Sequence, residues 1–170
     1  MPPRSSGPRR IPDPGFAGDV GTADPALSAA LAAYAADPAR HLEVFTALQG
    51  ARLLVPVVAI LGESEVDDAG LAHDKTSDMA TALLIGRDGR KALLAFTGLE
   101  ALAAWRPDAR PVPVTAALAA HSALQEGAAA LVVDVAGPTT YAVEDDLLDG
   151  LARGWTLVQT EHGLGWMGEP

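Results

Sequence analysis

Residues 81–114 place the tightest limits on what this chain can fold into, because nearly every position there reads as architecture. An apolar run over 79–87 meets Asp88-Gly89, and a second apolar run follows over 90–96. Asp-Gly between two such runs predicts a β-hairpin, with Asp88-Gly89 suited to a type I′ turn. Thr97 and Glu100 have the S/T-x-x-E spacing of a capping box, which predicts a helix over 98–105. Pro107 forbids its continuation, and Pro111-Val112-Pro113-Val114 must be extended, because proline restricts its own φ and the conformation of the residue before it. Strand, turn, strand, helix and strand in so short a span imply an α+β domain with neighbouring antiparallel strands.

The flanking segments follow the same logic. Asp24-Pro25 and Asp37-Pro38 each put an N-cap carboxylate before a proline that suits the first helical position. The first helix would bury Leu27, Leu31 and Tyr34. The second would bury Leu42, Phe45 and Leu48 and stop at Gly50. Residues 52–61 read as a buried strand in which Pro56 demands an edge position or a bulge. A polar loop over 62–78 carries six acids. A helix over 115–126, strands over 129–135 and 139–144, and a short helix over 145–153 complete the pattern. We expect a flexible arm at 1–23, one domain at 24–153 and a Gly-rich tail at 154–170. The fold class is a single α+β domain with a mainly antiparallel sheet packed against helices.

Composition excludes several functions. The 170 residues contain no cysteine, so disulfides, thiolate metal sites and a cysteine nucleophile are ruled out. With 22 acids against 12 bases the formal charge is −10, whereas a duplex-binding domain needs a basic face to displace counterions. No nucleic-acid partner is expected. No apolar run reaches the roughly 20 residues of a membrane helix, and the start carries no apolar signal region, so a soluble, cytoplasmic protein with no membrane partner is expected. Oligomeric state is not legible. Arg4, Arg9 and Arg10 could make the arm a tether for an acidic partner, but a solvated tail is the plainer reading.

Four separated blocks carry a family resemblance: Ser77-Asp78-Met79-Ala80, Asp88-Gly89-Arg90, the run Ala95-Phe96-Thr97-Gly98-Leu99-Glu100-Ala101-Leu102, and Trp105-Arg106-Pro107. Together with the opening Ile11-Pro12-Asp13-Pro14-Gly15-Phe16, they resemble the SseB family, named for enhanced serine sensitivity, over roughly residues 11–153. The resemblance implies an α+β domain of bacterial cytoplasmic proteins and brings no catalytic residues. Many members are longer, with a second C-terminal domain, whereas here only a short tail follows Arg153.

The constellations that could carry chemistry are weak. Residues 163–168 match G-x-G-x-x-G without the strand-to-helix setting that a pyrophosphate needs. Residues 70–76 resemble a phosphate loop lacking its second glycine, with Asp74 where phosphate would sit. The loop acids Glu63, Glu65, Asp67, Asp68, Asp74 and Asp78 lack EF-hand spacing, and His41, His73, His121 and His162 form no zinc pair. Ser64, Ser77 and Ser122 have no nucleophile-elbow context. No metal or cofactor is expected.

Trp105-Arg106-Pro107-Asp108-Ala109-Arg110 is the strongest polar candidate, since arginine forks suit carboxylates and tryptophan offers a stacking face. The plainer alternative makes Trp105 a core plug, with Arg106 and Arg110 paired to Glu100, Asp108 or helix-end carbonyls. Ser77 and Asp78 are binding candidates too, or else a loop-to-strand junction. The sequence thus predicts a noncatalytic interaction or regulatory module with a protein partner. The alternative is an enzyme or binder of a small anionic metabolite, using a pocket near Asp78, Trp105 and Arg106.

Overall fold

The computed structural model describes residues 15–60 and 78–168. It is an α+β domain built on two sheets joined by a bridge between Leu54 and Phe96. The first sheet has the order β2-β1-β5, from β1 (Arg52–Ile60), β2 (Asp78–Thr81) and β5 (Arg110–Thr115), all antiparallel. The second has the order β3-β4-β6-β7, from β3 (Leu83–Ile85), β4 (Lys91–Ala95), β6 (Ala130–Val133) and β7 (Tyr141–Glu144). Only β4 and β6 run parallel. Residues 1–14, 61–77 and 169–170 lie outside the described residues, and with them all but the last residue of the loop expected over 62–78, Ser77 and the phosphate-loop look-alike.

Pro56 explains how the sheets join. Leu54 exchanges both backbone bonds with Phe96, each at 2.8 Å. Even-numbered residues of β1 therefore aim their polar groups toward β4 and β2, and odd-numbered ones toward β5. Pro56 belongs to the even set. Its carbonyl accepts the Ala82 N–H at 3.2 Å, but it has no N–H for the Ala82 carbonyl, which accepts the Leu94 N–H at 3.1 Å instead. The chain from β2 to β3 thus changes sheets at the place where proline withholds a bond. Of the two positions that the sequence allowed, Pro56 takes an irregularity inside a central strand, not an edge. Pro111 and Pro113 stand opposite Pro56 and Leu54, so their missing donors face off the outer side of β5. That edge needs no donors there and is closed to a further strand.

Two cores lie on opposite faces of the sheets. The larger joins Leu27 and Leu31 of α1 (Pro25–Ala36), Val44, Phe45 and Leu48 of α2 (His41–Gln49), and the alanine face of α4 (Ala116–Gln125). It also takes Leu148 and Leu151 of α5 (Asp145–Ala152) and strand residues such as Leu53, Leu93 and Leu131. The smaller core gathers Leu54, Leu94 and Phe96 beneath α3 (Leu99–Trp105) through Leu102. Alternate strand residues feed opposite cores, as the two-residue repeat requires.

Four local expectations are corrected. The hairpin forms, but its turn is not type I′. Gly89 alone has positive φ (79°), the Gly89 N–H donates to Gly86 O at 3.0 Å, and Asp88 grips the Arg90 N–H and Nε at 3.1 and 2.8 Å. Asp37 caps a short 3-10 turn over Pro38–Arg40 and not α2 itself. Thr97 does not cap α3: the N-cap is Gly98, which makes no side-chain bond. Much of the segment read as a Gly-rich tail forms a hairpin of β8 (Thr156–Thr160) and β9 (Gly163–Met167). Trp166 anchors it, edge-on to Phe45 at 5.9 Å and close above Gly150, where a side chain would collide with the indole.

Candidate functional site

The turn from α3 into β5 delivers the predicted arginines and tryptophan. Pro107 ends α3, the Arg106 N–H closes its last turn on Leu102 O at 2.8 Å, and Ala109 folds back onto Arg106 O at 3.3 Å. Trp105 is half-buried against the smaller core and stacks on Phe96, with centroids 5.5 Å apart and planes 30° apart. The exposed Arg106 lays its guanidinium over the outer part of that system, 5.0 Å from the Trp105 centroid. Arg110, also exposed, opens β5 opposite Val57. Trp105 is therefore part core plug, as the plainer alternative held. The ion pairs of that alternative are absent: among the described residues neither Arg106 nor Arg110 pairs with Glu100, Asp108 or another carboxylate.

The backbone of Asp78 lies opposite Ile60, at the end of the first sheet where β5 begins. Asp78 and Arg110 thus sit toward one end of the same sheet on the two strands flanking β1, but their partners Ile60 and Val57 are three residues apart, so the two backbones are about 14 Å apart, two strand spacings across and three residues along. Trp105 and Arg106 touch each other. Two surface clefts among the described residues do not include them. A groove of about 1050 Å³ runs between α1, α2 and the β8–β9 hairpin, and a cleft of about 410 Å³ is lined by Tyr34, His41, Tyr141 and acids including Glu144 and Asp145.

A polar cluster that the sequence reading missed lies behind α3. Asp134, 5% exposed, follows the last residue of β6 in the left-handed conformation (φ 55°). Its two carboxylate oxygens accept the Thr97 N–H and the Thr97 hydroxyl, each at 2.8 Å. Burial pushes its carboxyl above the ordinary range, partly offset by those two bonds. Thr97 O in turn accepts from Arg52 Nη1 at 2.9 Å, and Arg52 Nε pairs with Asp19 at 2.6 Å. The only sequence signal was an acid at the end of an apolar strand, where a strand running to Val135 would have buried it.

Among the described residues no three His, Cys, Asp or Glu side chains converge as a metal set, and no helix is long and apolar enough to cross a membrane. An α+β domain with helices on both faces and an aromatic–arginine corner is the class of protein that these features define. The family model described as SseB protein N-terminal domain matches residues 27–149, and the chain belongs to that family. No curated protein and no solved structure matches it.

Proposed function

We propose that this chain is a noncatalytic interaction module that receives an acidic segment of a protein partner at the corner formed by Trp105, Arg106 and Arg110. The observation that carries the reading is Arg106 itself. Its guanidinium rests on an indole face, with two acids near in sequence, and keeps its donors free of carboxylates among the described residues. A guanidinium held flat on an aromatic ring has fewer conformations to lose when it grips a carboxylate in bidentate fashion. The rigid support beneath, Trp105 on Phe96, suits a contact that must be presented and not assembled. Asp78, whose backbone lies toward the same end of the first sheet, would border the contact.

The test is capture of a protein partner by the whole chain and by Trp105→Ala and Arg106→Glu variants that keep their wild-type circular dichroism. Loss of the same reproducible partner in both variants supports the module. Wild-type binding retained by Arg106→Glu would remove this corner from the interface. A melting-temperature rise specific to one small anion, in a screen of amino acids and nucleotides, would replace the module by a metabolite site.

A further inference from the structure

Helix α3 has no side-chain cap, and seven residues are too few to hold a helix by propensity. The missing cap comes from far along the chain. Gly21 O accepts the Leu99 N–H at 2.8 Å, at the first residue of the helix. Gly21 is placed by Asp19, whose Oδ1 accepts its N–H at 2.7 Å. Asp19 is fixed in turn by Arg52, through Nε at 2.6 Å and Nη2 at 3.1 Å. Arg52 also donates to Thr22 O at 2.6 Å and to Thr97 O at 2.9 Å, so one guanidinium ties the segment to the residue before the N-cap. The side chains of this ion pair are 14% and 17% exposed, well withdrawn from water. The fit is close on both sides. A Cβ on Gly98 would press on Ala23 N and Gly21 O at 2.9 Å, and one on Gly21, at φ 76°, would strike Leu99.

We propose that residues 19–23 are a releasable latch on α3: docked, they order the helix and so fix Trp105 and Arg106 at its far end, and undocked they let it fray. The significance for binding rests on the reading of that corner as a contact surface. The latch lies upstream of the family-matched residues 27–149, so the order of a helix within the family domain is governed from outside it. The bonds that hold the latch are polar, one ion pair and three backbone acceptors, and none of residues 19–23 buries an apolar side chain.

The experiment is amide hydrogen exchange on the full chain, with and without Asp19→Ala. The amides of Leu99 and of residues 102–106 should exchange at least about tenfold faster in the variant, the ratio that loss of one charge-assisted hydrogen bond produces. The amides of β6, Ala130–Val133, should not change. In wild type, about 1 M salt, where the screening length falls to about 3 Å, should speed the same α3 amides and leave the variant unmoved. Unchanged α3 exchange in Asp19→Ala, or an equal loss of protection in β6, overturns the latch. Exchange needs no partner, so failure of wild type to capture one bears on the contact surface alone.

Discussion

Replacing Asp134 probes the one buried carboxylate in the described residues and separates its charge from its hydrogen bonds. Alanine removes both oxygens and strands the Thr97 N–H and hydroxyl in a closed setting. Each stranded group costs about 1–3 kcal/mol, and a non-glycine residue in the left-handed conformation that alanine would inherit costs about 1–2 kcal/mol. Asp134→Ala should therefore lose about 4 kcal/mol, with a Tm fall of roughly 10 °C for a domain of this size. Asparagine behaves differently. Its carbonyl can still accept the Thr97 N–H, its amide can donate to the hydroxyl, and it tolerates positive φ. Asp134→Asn should stay within about 1 kcal/mol of wild type at neutral pH.

The pH dependence then isolates the charge. Folding raises the carboxyl above its ordinary value of 3.8, chiefly through burial. Between the unfolded and folded values the native state binds more protons than the unfolded chain, so stability falls as pH rises through that window. The stability of wild type relative to Asp134→Asn should be greatest in acid, decline as pH rises above the ordinary carboxylate range, and level off once the folded group is ionised. Urea unfolding followed by circular dichroism across pH 4–8 measures this gap. A gap that widens with pH, or an alanine variant within about 1 kcal/mol of wild type, would refute the assignment of Asp134 as a buried, bond-compensated carboxylate.

Two further substitutions test the packing. Gly150→Ala would ordinarily favour a helix by about 1 kcal/mol. Here the added methyl meets the Trp166 indole, so the variant should instead lose about 1–3 kcal/mol as the indole shifts off Phe45, and a raised Tm would contradict the packing of the hairpin. Tyr141→Phe removes the bond from the phenol to His41 O at 3.0 Å and should cost about 1 kcal/mol at pH 7. Burial pushes the Tyr141 phenol up to about 12, so that contribution should fade from pH 10 upward as the unfolded phenol ionises first, and a wild-type advantage that persists undiminished to pH 12 would count against it.

Elements whose pattern is local were legible in the sequence. The Asp24 cap, the Gly50 stop and the Leu27-Leu31 face of α1 need only neighbours within a turn or two, and each stands as read. The hairpin from β3 to β4 was legible for the same reason, although its turn was not, because a type I′ turn and a longer turn with one positive-φ glycine both suit Asp-Gly. The β8–β9 hairpin was hidden by its glycines. Its strands hold through Trp166 on Phe45 and through the Gln49 amide, which meets both backbone groups of Leu157 across 108 positions. Of the candidate site, the meeting of Trp105 and Arg106 followed from adjacency at a helix end, while the stacking of Trp105 on Phe96 depended on a core that no short window reveals.

Thr97 shows why local rules fail at this point of the fold. As a helix cap it would gain about 1 kcal/mol in a position exposed to water. Turned inward, it gives two charge-assisted bonds to a carboxylate that has no other partner among the described residues, each worth about 1.5–3 kcal/mol. The buried acid wins, because leaving Asp134 unmatched costs more than leaving a helix end uncapped. The vacant end of α3 is then filled by Gly21, whose carbonyl reaches it only because Gly98 carries no side chain. A buried acid at one strand end, an uncapped helix and a docked upstream segment are thus three consequences of one choice of partner by Thr97. It follows that Thr97→Val should disturb both ends at once, weakening the Asp134 contact directly and loosening α3 through the shifted Gly98. A substitution confined to the arm, such as Asp19→Ala, should touch only the second.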